Sequence, residues 1–109
     1  MVRDVYQNYI AGRWVPAKSG RTFENTDPAN GEPLGTYPRS APEDVEAAVI
    51  AAASSADSWR HTPAPHRGDI LARAAQALVR NKEDIARSMT REMGKVIKEA
   101  GGDVQEGID

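Results

Sequence analysis

The chain has 109 residues, with 14 basic and 16 acidic side chains, a formal net charge of −2 and no cysteine. That length holds one domain of ordinary size and excludes a complete two-domain oxidoreductase, kinase or barrel enzyme. The near-zero charge argues against a whole-molecule grip on nucleic acid or membrane, and the missing cysteine excludes a disulfide framework, a thiolate nucleophile and sulfur-ligated zinc from this stretch.

The first forty residues read as strands and turns. Tyr6 to Val15 reads as a hairpin, with Tyr9-Ile10 and Arg13-Trp14-Val15 flanking Ala11-Gly12, where glycine supplies the positive φ of a tight turn. Pro16 to Gly20 reads as a second turn. Arg21 to Thr26 reads as a strand in which Phe23 points away from Thr22 and Glu24. Asp27 to Pro33 is dense in turn formers and leads to a last short strand around Leu34 to Tyr37.

From there the pattern turns helical. Pro42 suits a first helical position, and Glu43, Asp44 and Glu46 suit the positive end of a helix dipole. Two starts compete: a capping box of Ser40 with Glu43, or a cap at Ala41. Proline at 42 pushes Ala41 off helical angles and favours the second. Val45, Val49, Ala52, Ala56 and Trp59 then form one narrow apolar stripe, and Thr62-Pro63-Ala64-Pro65 breaks it. A second helix is expected from about Pro65 to Arg80, burying Ile70, Leu71, Ala74, Ala75 and Leu78. A third, capped by Asn81 with Asp84 three residues on, carries Ile85, Met89 and Met93 to a left-handed cap at Gly94. A fourth carries Ile97, Ala100, Val104 and Ile108. Its Gly101, Gly102 and Gly107 each cost roughly 1 kcal/mol against alanine, a cost often tolerated where a neighbour packs closely. The expected fold is α+β: N-terminal β-hairpins followed by four helices, in a single partial domain with a hairpin region over 1–40 and a helical region over 41–109. The apolar pattern runs to Ile108-Asp109 without a cap and reads as truncated.

The apolar content is weak in kind. Seventeen residues are alanine, and Leu, Ile, Val and Phe together number 18 of 109, where each large aliphatic contributes about 1.5–3 kcal/mol when fully buried. A thin core follows, completed by a partner surface, with Trp14 and Trp59 as its expected anchors. Cut free, the chain is expected to associate through the Val45–Trp59 stripe and the face around Ala100, Val104 and Ile108, or to melt weakly with the last helix fraying first. No stretch approaches the ~20 apolar residues of a membrane span and no signal peptide opens the chain, so a soluble, cytoplasmic protein is expected.

Self-sufficient chemistry is hard to find. There is no G-x-G-x-x-G, Walker loop or H-E-x-x-H. His61 and His66 flank the proline-rich turn and read as surface loop residues. Ser54, Ser55 and Ser58 have no histidine at a useful spacing. No catalytic or cofactor-binding residue is assigned. The stretch 60–98 is basic, with Arg73, Arg80 and Arg87 at seven-residue spacing. Two short helices meeting near Asn81 would imitate a helix-turn-helix, but a pI near 5.7 opposes nucleic-acid binding.

Six segments in register nevertheless have a familiar look. They are Tyr9-Ile10-Ala11-Gly12-Arg13-Trp14-Val15, Asn25-Thr26-Asp27-Pro28-Ala29-Asn30-Gly31-Glu32, Asp44 to Trp59, Arg67 to Asn81, Thr90-Arg91-Glu92-Met93-Gly94-Lys95, and Gly102-Asp103-Val104-Gln105-Glu106. Together they resemble the N-terminal segment of the NAD(P)-dependent aldehyde dehydrogenase superfamily, with Asp27 where the family more often has asparagine. The resemblance implies the outer part of that family's α/β cofactor-binding domain. It implies oxidation of an aldehyde, with a lean toward semialdehydes, to a carboxylate with NAD or NADP, through a cysteine thiohemiacetal. That cysteine, the "E-L-G-G" glutamate, the "W-N-F-P" asparagine, the "K-P" lysine and the cofactor loop lie in downstream sequence, so this chain alone is expected to be inactive and to bind no cofactor. The resemblance also implies a monovalent cation held by Asn25, Thr26 and Glu92, with hard oxygen ligands. The implied partners are the remainder of the dehydrogenase chain and further copies in a homo-oligomer, with no nucleic acid and no membrane. Two other readings stay beside it: a truncated or pseudo-enzyme chain serving as an interaction surface, and a helical nucleic-acid-binding module.

Overall fold

The computed structural model describes residues 4–109. They fold as two compact units, one of residues 4–26 and 33–61 and one of residues 27–32 and 62–109.

The first unit holds four strands and one helix: β1 (Asn8–Ile10), β2 (Arg13–Val15), β3 (Thr22–Thr26), β4 (Pro33–Pro38) and α1 (Pro42–His61). The strands form two separate antiparallel ribbons, β1–β2 and β3–β4. Ala11 and Gly12 both take positive φ, 54° and 77°, as a two-residue hairpin turn of matching twist requires. The register then pairs Tyr9 with Trp14 and Ile10 with Arg13. Strand alternation sends Tyr9 and Trp14 to one face, where their rings meet at 4.9 Å. Ile10, Arg13 and Val15 take the other face and share a hollow with Asp44 and Ala47 of α1. Trp14 is therefore 67% exposed and anchors no core, contrary to expectation. Trp59, 41% exposed, differs in the same direction, because Val45 and Val49 of its stripe are also uncovered among the described residues.

Helix α1 begins as the proline argument requires. Ala41 is its cap residue: its carbonyl accepts from the Asp44 and Val45 N–H groups. Ser40 is occupied elsewhere, accepting from Asn8 Nδ2 at 2.8 Å.

The second unit holds a turn and two helices, α2 (Ala64–Met93) and α3 (Ile97–Ile108). Among the described residues three helices stand where four were expected, because the second and third are one continuous helix of 30 residues. No glycine or proline interrupts residues 69–93, and an asparagine costs a helix less than 1 kcal/mol. Asn81 caps nothing: its Nδ2 donates to the Ala77 carbonyl one turn back, at 2.8 Å. With that junction goes the helix-turn-helix. Gly94 ends α2 as expected, at φ 74°, its N–H donating to the Thr90 carbonyl at 2.8 Å.

The core of this unit is small. Ala86, Ala100 and Val104 are buried, with Ile85, Met89 and Ile108 packed around them. Twelve residues of helix span about 18 Å and thirty about 45 Å, so α3 covers only the C-terminal part of α2. Leu78, 3.8 Å from a Cβ built on Gly107, marks a point of contact. Ile70, Leu71 and Ala74, expected to be buried, lie beyond that reach and are exposed. The face of α3 around Ala100 and Val104, expected to be open, is closed against α2. Gly101 and Gly102 face open space and do not permit a close approach. Ala100 against Ala86 does that instead. Among the described residues no helix is long and apolar enough to cross a membrane.

Candidate functional site

The three residues singled out as cation ligands fall in both units. Asn25 and Thr26 close β3 in the first, and Glu92 lies in the last turn of α2 in the second. Asn25 pairs with Gly35 but Thr26 with Pro33, so the ladder slips between them. Irregularities of this kind leave backbone groups off the ladder. Asn25 Oδ1 accepts from the Thr26 N–H at 3.0 Å. Among the described residues no cluster of three or more His, Cys, Asp or Glu is placed to hold a metal. Close to Glu92 in sequence, the Thr90 hydroxyl is buried without a hydrogen-bond partner.

The candidate nucleophiles are committed to their own helix. Ser54 and Ser55 both donate to the Ala51 carbonyl, and Ser58 donates to that of Ser55. Such back-bonding satisfies a hydroxyl without activating it. His61 and His66 are exposed but stand at helix ends, not in a loop: His61 closes α1, with Nδ1 2.9 Å from the Asp57 carbonyl, and His66 lies in the first turn of α2.

Two polar nodes emerge that sequence reasoning had treated only as charges. Asp44, 4% exposed, accepts from the Ala41 N–H at 2.9 Å and from the Lys18 N–H at 2.9 Å. One carboxylate thus closes the cap of α1 and fastens the 16–20 turn to it. Hydrogen bonding by the Ala41 amide above all, then by Lys18, holds its pKa below the ordinary carboxylate value against the opposing effect of burial. The spacing Ala41 to Asp44 was the available signal; the reach to Lys18 had none. The second node is Lys95, whose Nζ pairs with the Asp103 carboxylate across the α2–α3 turn. That hydrogen bond raises its pKa, with Glu99 and Glu106 adding smaller attractions and desolvation opposing. Nearby, Lys82 Nζ donates to Gln105 Oε1 at 2.7 Å, and Gln105 Nε2 donates to Asp109 Oδ1 at 2.8 Å. Lys82–Gln105 thus ties α3 to α2, Lys95–Asp103 ties the turn to α3, and Gln105–Asp109 closes the end of α3.

The described residues thus combine two hairpin ribbons, three helices and a tight stop at Gly94. Comparison with known proteins gives the family. The sequence pattern of the aldehyde dehydrogenase family matches residues 14–109, and the chain belongs to that family. It is 43% identical over 107 residues to alpha-ketoglutarate semialdehyde dehydrogenase of Haloferax volcanii, covering 97% of this chain and 22% of the relative. It is 45% identical over 103 residues to malonate-semialdehyde dehydrogenase 2 of Geobacillus kaustophilus, covering 94% and 21%. Among solved structures, NADP-dependent glyceraldehyde-3-phosphate dehydrogenase from Bacillus halodurans C-125, complexed with NADP, matches at a TM-score of 0.87 and 29% identity, covering 94% of this chain and 22% of that one. The chain therefore spans about a fifth of the length of these relatives and corresponds to their N-terminal part.

Proposed function

We propose that this chain is the N-terminal scaffold of an enzyme that oxidises a semialdehyde to the carboxylate with NAD+ or NADP+. The observation that carries the reading is the identity of 43% and 45% to two semialdehyde dehydrogenases over nearly the whole chain. In this reading the remainder of the parent chain supplies the thiolate that adds to the aldehyde, the cofactor cleft and the substrate pocket. A dinucleotide seat of the kind built at a parallel β–α–β turn against a helix N-terminus belongs, in this reading, to that remainder, the strands described here forming antiparallel ribbons. What this chain does is hold shape, through the Asp44 cap and the α2–α3 pair, for a catalytic body that packs on its exposed apolar positions in a cytoplasmic homo-oligomer.

The test is made on the complete reading frame that contains this segment. Purified parent is assayed for reduced nicotinamide with α-ketoglutarate semialdehyde, malonate semialdehyde and acetaldehyde, each with NAD+ and NADP+. A higher kcat/KM for a semialdehyde than for acetaldehyde is expected; no oxidation of any aldehyde overturns the reading.

The family resemblance further proposes Asn25, Thr26 and Glu92 as oxygen donors to a monovalent cation in that parent, with at least one more ligand from the rest of the chain. Oxygen donors suit a hard cation. Replacing K+ and Na+ by a bulky organic cation is expected to lower the parent's Tm, and Glu92→Gln to abolish that dependence. A Tm indifferent to cation identity overturns it.

A further inference from the structure

Strand β4 pairs with β3 along one edge, and at Thr36 it also carries residues 4–6. These run parallel to it: Val5 bridges Thr36, the Thr36 N–H donates to the Asp4 carbonyl at 2.9 Å, and the Tyr6 N–H donates to the Thr36 carbonyl at 2.8 Å. The Tyr6 ring lies on Tyr37 with centroids 4.6 Å apart and planes within 11°, and Phe23 stacks on Tyr37 at 5.8 Å. Gly35 is what admits this segment. A Cβ there would stand 2.7 Å from Tyr6 Cε2 and 2.9 Å from the Asp4 carbonyl oxygen. Its backbone is not in the left-handed region, so the neighbour and not the conformation demands glycine.

We propose that this edge of β4 is a strand acceptor: an interaction surface that takes, in parallel, a short extended segment whose third residue is aromatic. Its occupant is the chain's own segment of residues 4–6, held reversibly. Main-chain hydrogen bonds give such a surface its affinity, and the Gly35 slot under the ring gives it selectivity. Two backbone bonds and one ring pair at a sheet edge form a weak hold, so the segment detaches by local opening without unfolding of the chain. Tethering gives the chain's own segment an effective concentration on the order of millimolar, so it holds the edge in dilute solution. Once released, it leaves the kind of bare edge that pairs with other chains.

The test uses the full 109-residue chain carrying Tyr6→Pro, which removes both the N–H given to Thr36 and the ring laid on Tyr37 while leaving the acceptor intact. Amide exchange at Thr36 is followed by NMR, with the amides of α1, in the same compact unit, reporting that this unit is folded. Exchange at Thr36 is expected to be about tenfold faster than in the unaltered chain. A millimolar peptide of sequence Asp-Val-Tyr-Gln-Asn restores protection in Tyr6→Pro, changes nothing in the unaltered chain, and fails in Tyr6→Pro combined with Gly35→Val. Should Tyr6→Pro not fold, Tyr6→Ala keeps the backbone bond and gives the same order at smaller amplitude. Unchanged protection of Thr36, peptide that does not restore it, or peptide that restores it despite Gly35→Val overturns the proposal.

Discussion

Asp44 concentrates the most structure in a single side chain. Its two backbone bonds mean that Asp44→Ala releases both the α1 cap and the 16–20 turn, and a Tm lower by several degrees is expected. Because its folded pKa lies below the unfolded carboxylate value of about 3.9, its contribution is fully present above that value. It is lost as pH falls through the folded pKa. Acid unfolding followed by circular dichroism is expected to be less steep in Asp44→Asn; an unchanged acid limb would remove Asp44 from the account. Lys95 has the opposite sign. Its folded pKa is raised, so its contribution is present below the unfolded lysine value of about 10.4 and is lost as pH rises through the folded one. Gly94→Ala forces an L-residue to φ 74° with Pro28 Cγ only 3.3 Å away, and a loss of about 1–2 kcal/mol is expected from denaturant titration. At this scale the sequence was legible where one residue type has one use. Gly12 in the turn, Pro42 behind the Ala41 cap and Gly94 at the stop were all readable. A carboxylate that reaches 26 residues back to Lys18 was not, because that distance is set by the packing of a turn on a helix.

The continuous α2 is the clearest departure of an element from its reading. An asparagine followed by an aspartate three residues on imitates a cap, yet side-chain caps compete weakly against a helix that nothing else interrupts. The difference is measurable. If Asn81 were a cap, Asn81→Ala would destabilise by about 1 kcal/mol; in mid-helix the same change is expected to stabilise by about 0.5 kcal/mol, since alanine is the better helix former. The strands were legible because period two and turn glycines are local signals. Which apolar positions are covered was not, because coverage depends on the length of the neighbour: α3 is too short to reach Ile70 and Leu71. Where it does reach, the fit is tight. Ala100, fully buried against Ala86, is expected to lose about 1–3 kcal/mol on replacement by leucine.

For the molecule as a whole, the thin core expected from composition is what the structure contains, its buried apolar residues being three alanines and one valine among the described residues. Val45, Val49 and Ile50 of α1 stay exposed, whereas Ala100 and Val104 of α3 are covered. In the isolated chain, amides at 100–104 are therefore expected to outlast those of α1's second half in hydrogen exchange, reversing the expectation that the last helix frays first. Concentration-dependent association through α1 is expected alongside. Family membership was legible because six short segments held one order over a hundred residues; the reaction was not, because the chain spans only about a fifth of the relatives' length. The central claim, that this chain is scaffold and its chemistry lies elsewhere in the parent, is tested most directly by one assay. The purified 109-residue chain and the complete parent are incubated side by side with a semialdehyde and NAD+ or NADP+, and reduced nicotinamide is followed. The account predicts reduction by the parent and none by the 109-residue chain; sustained turnover by the shorter chain would contradict it.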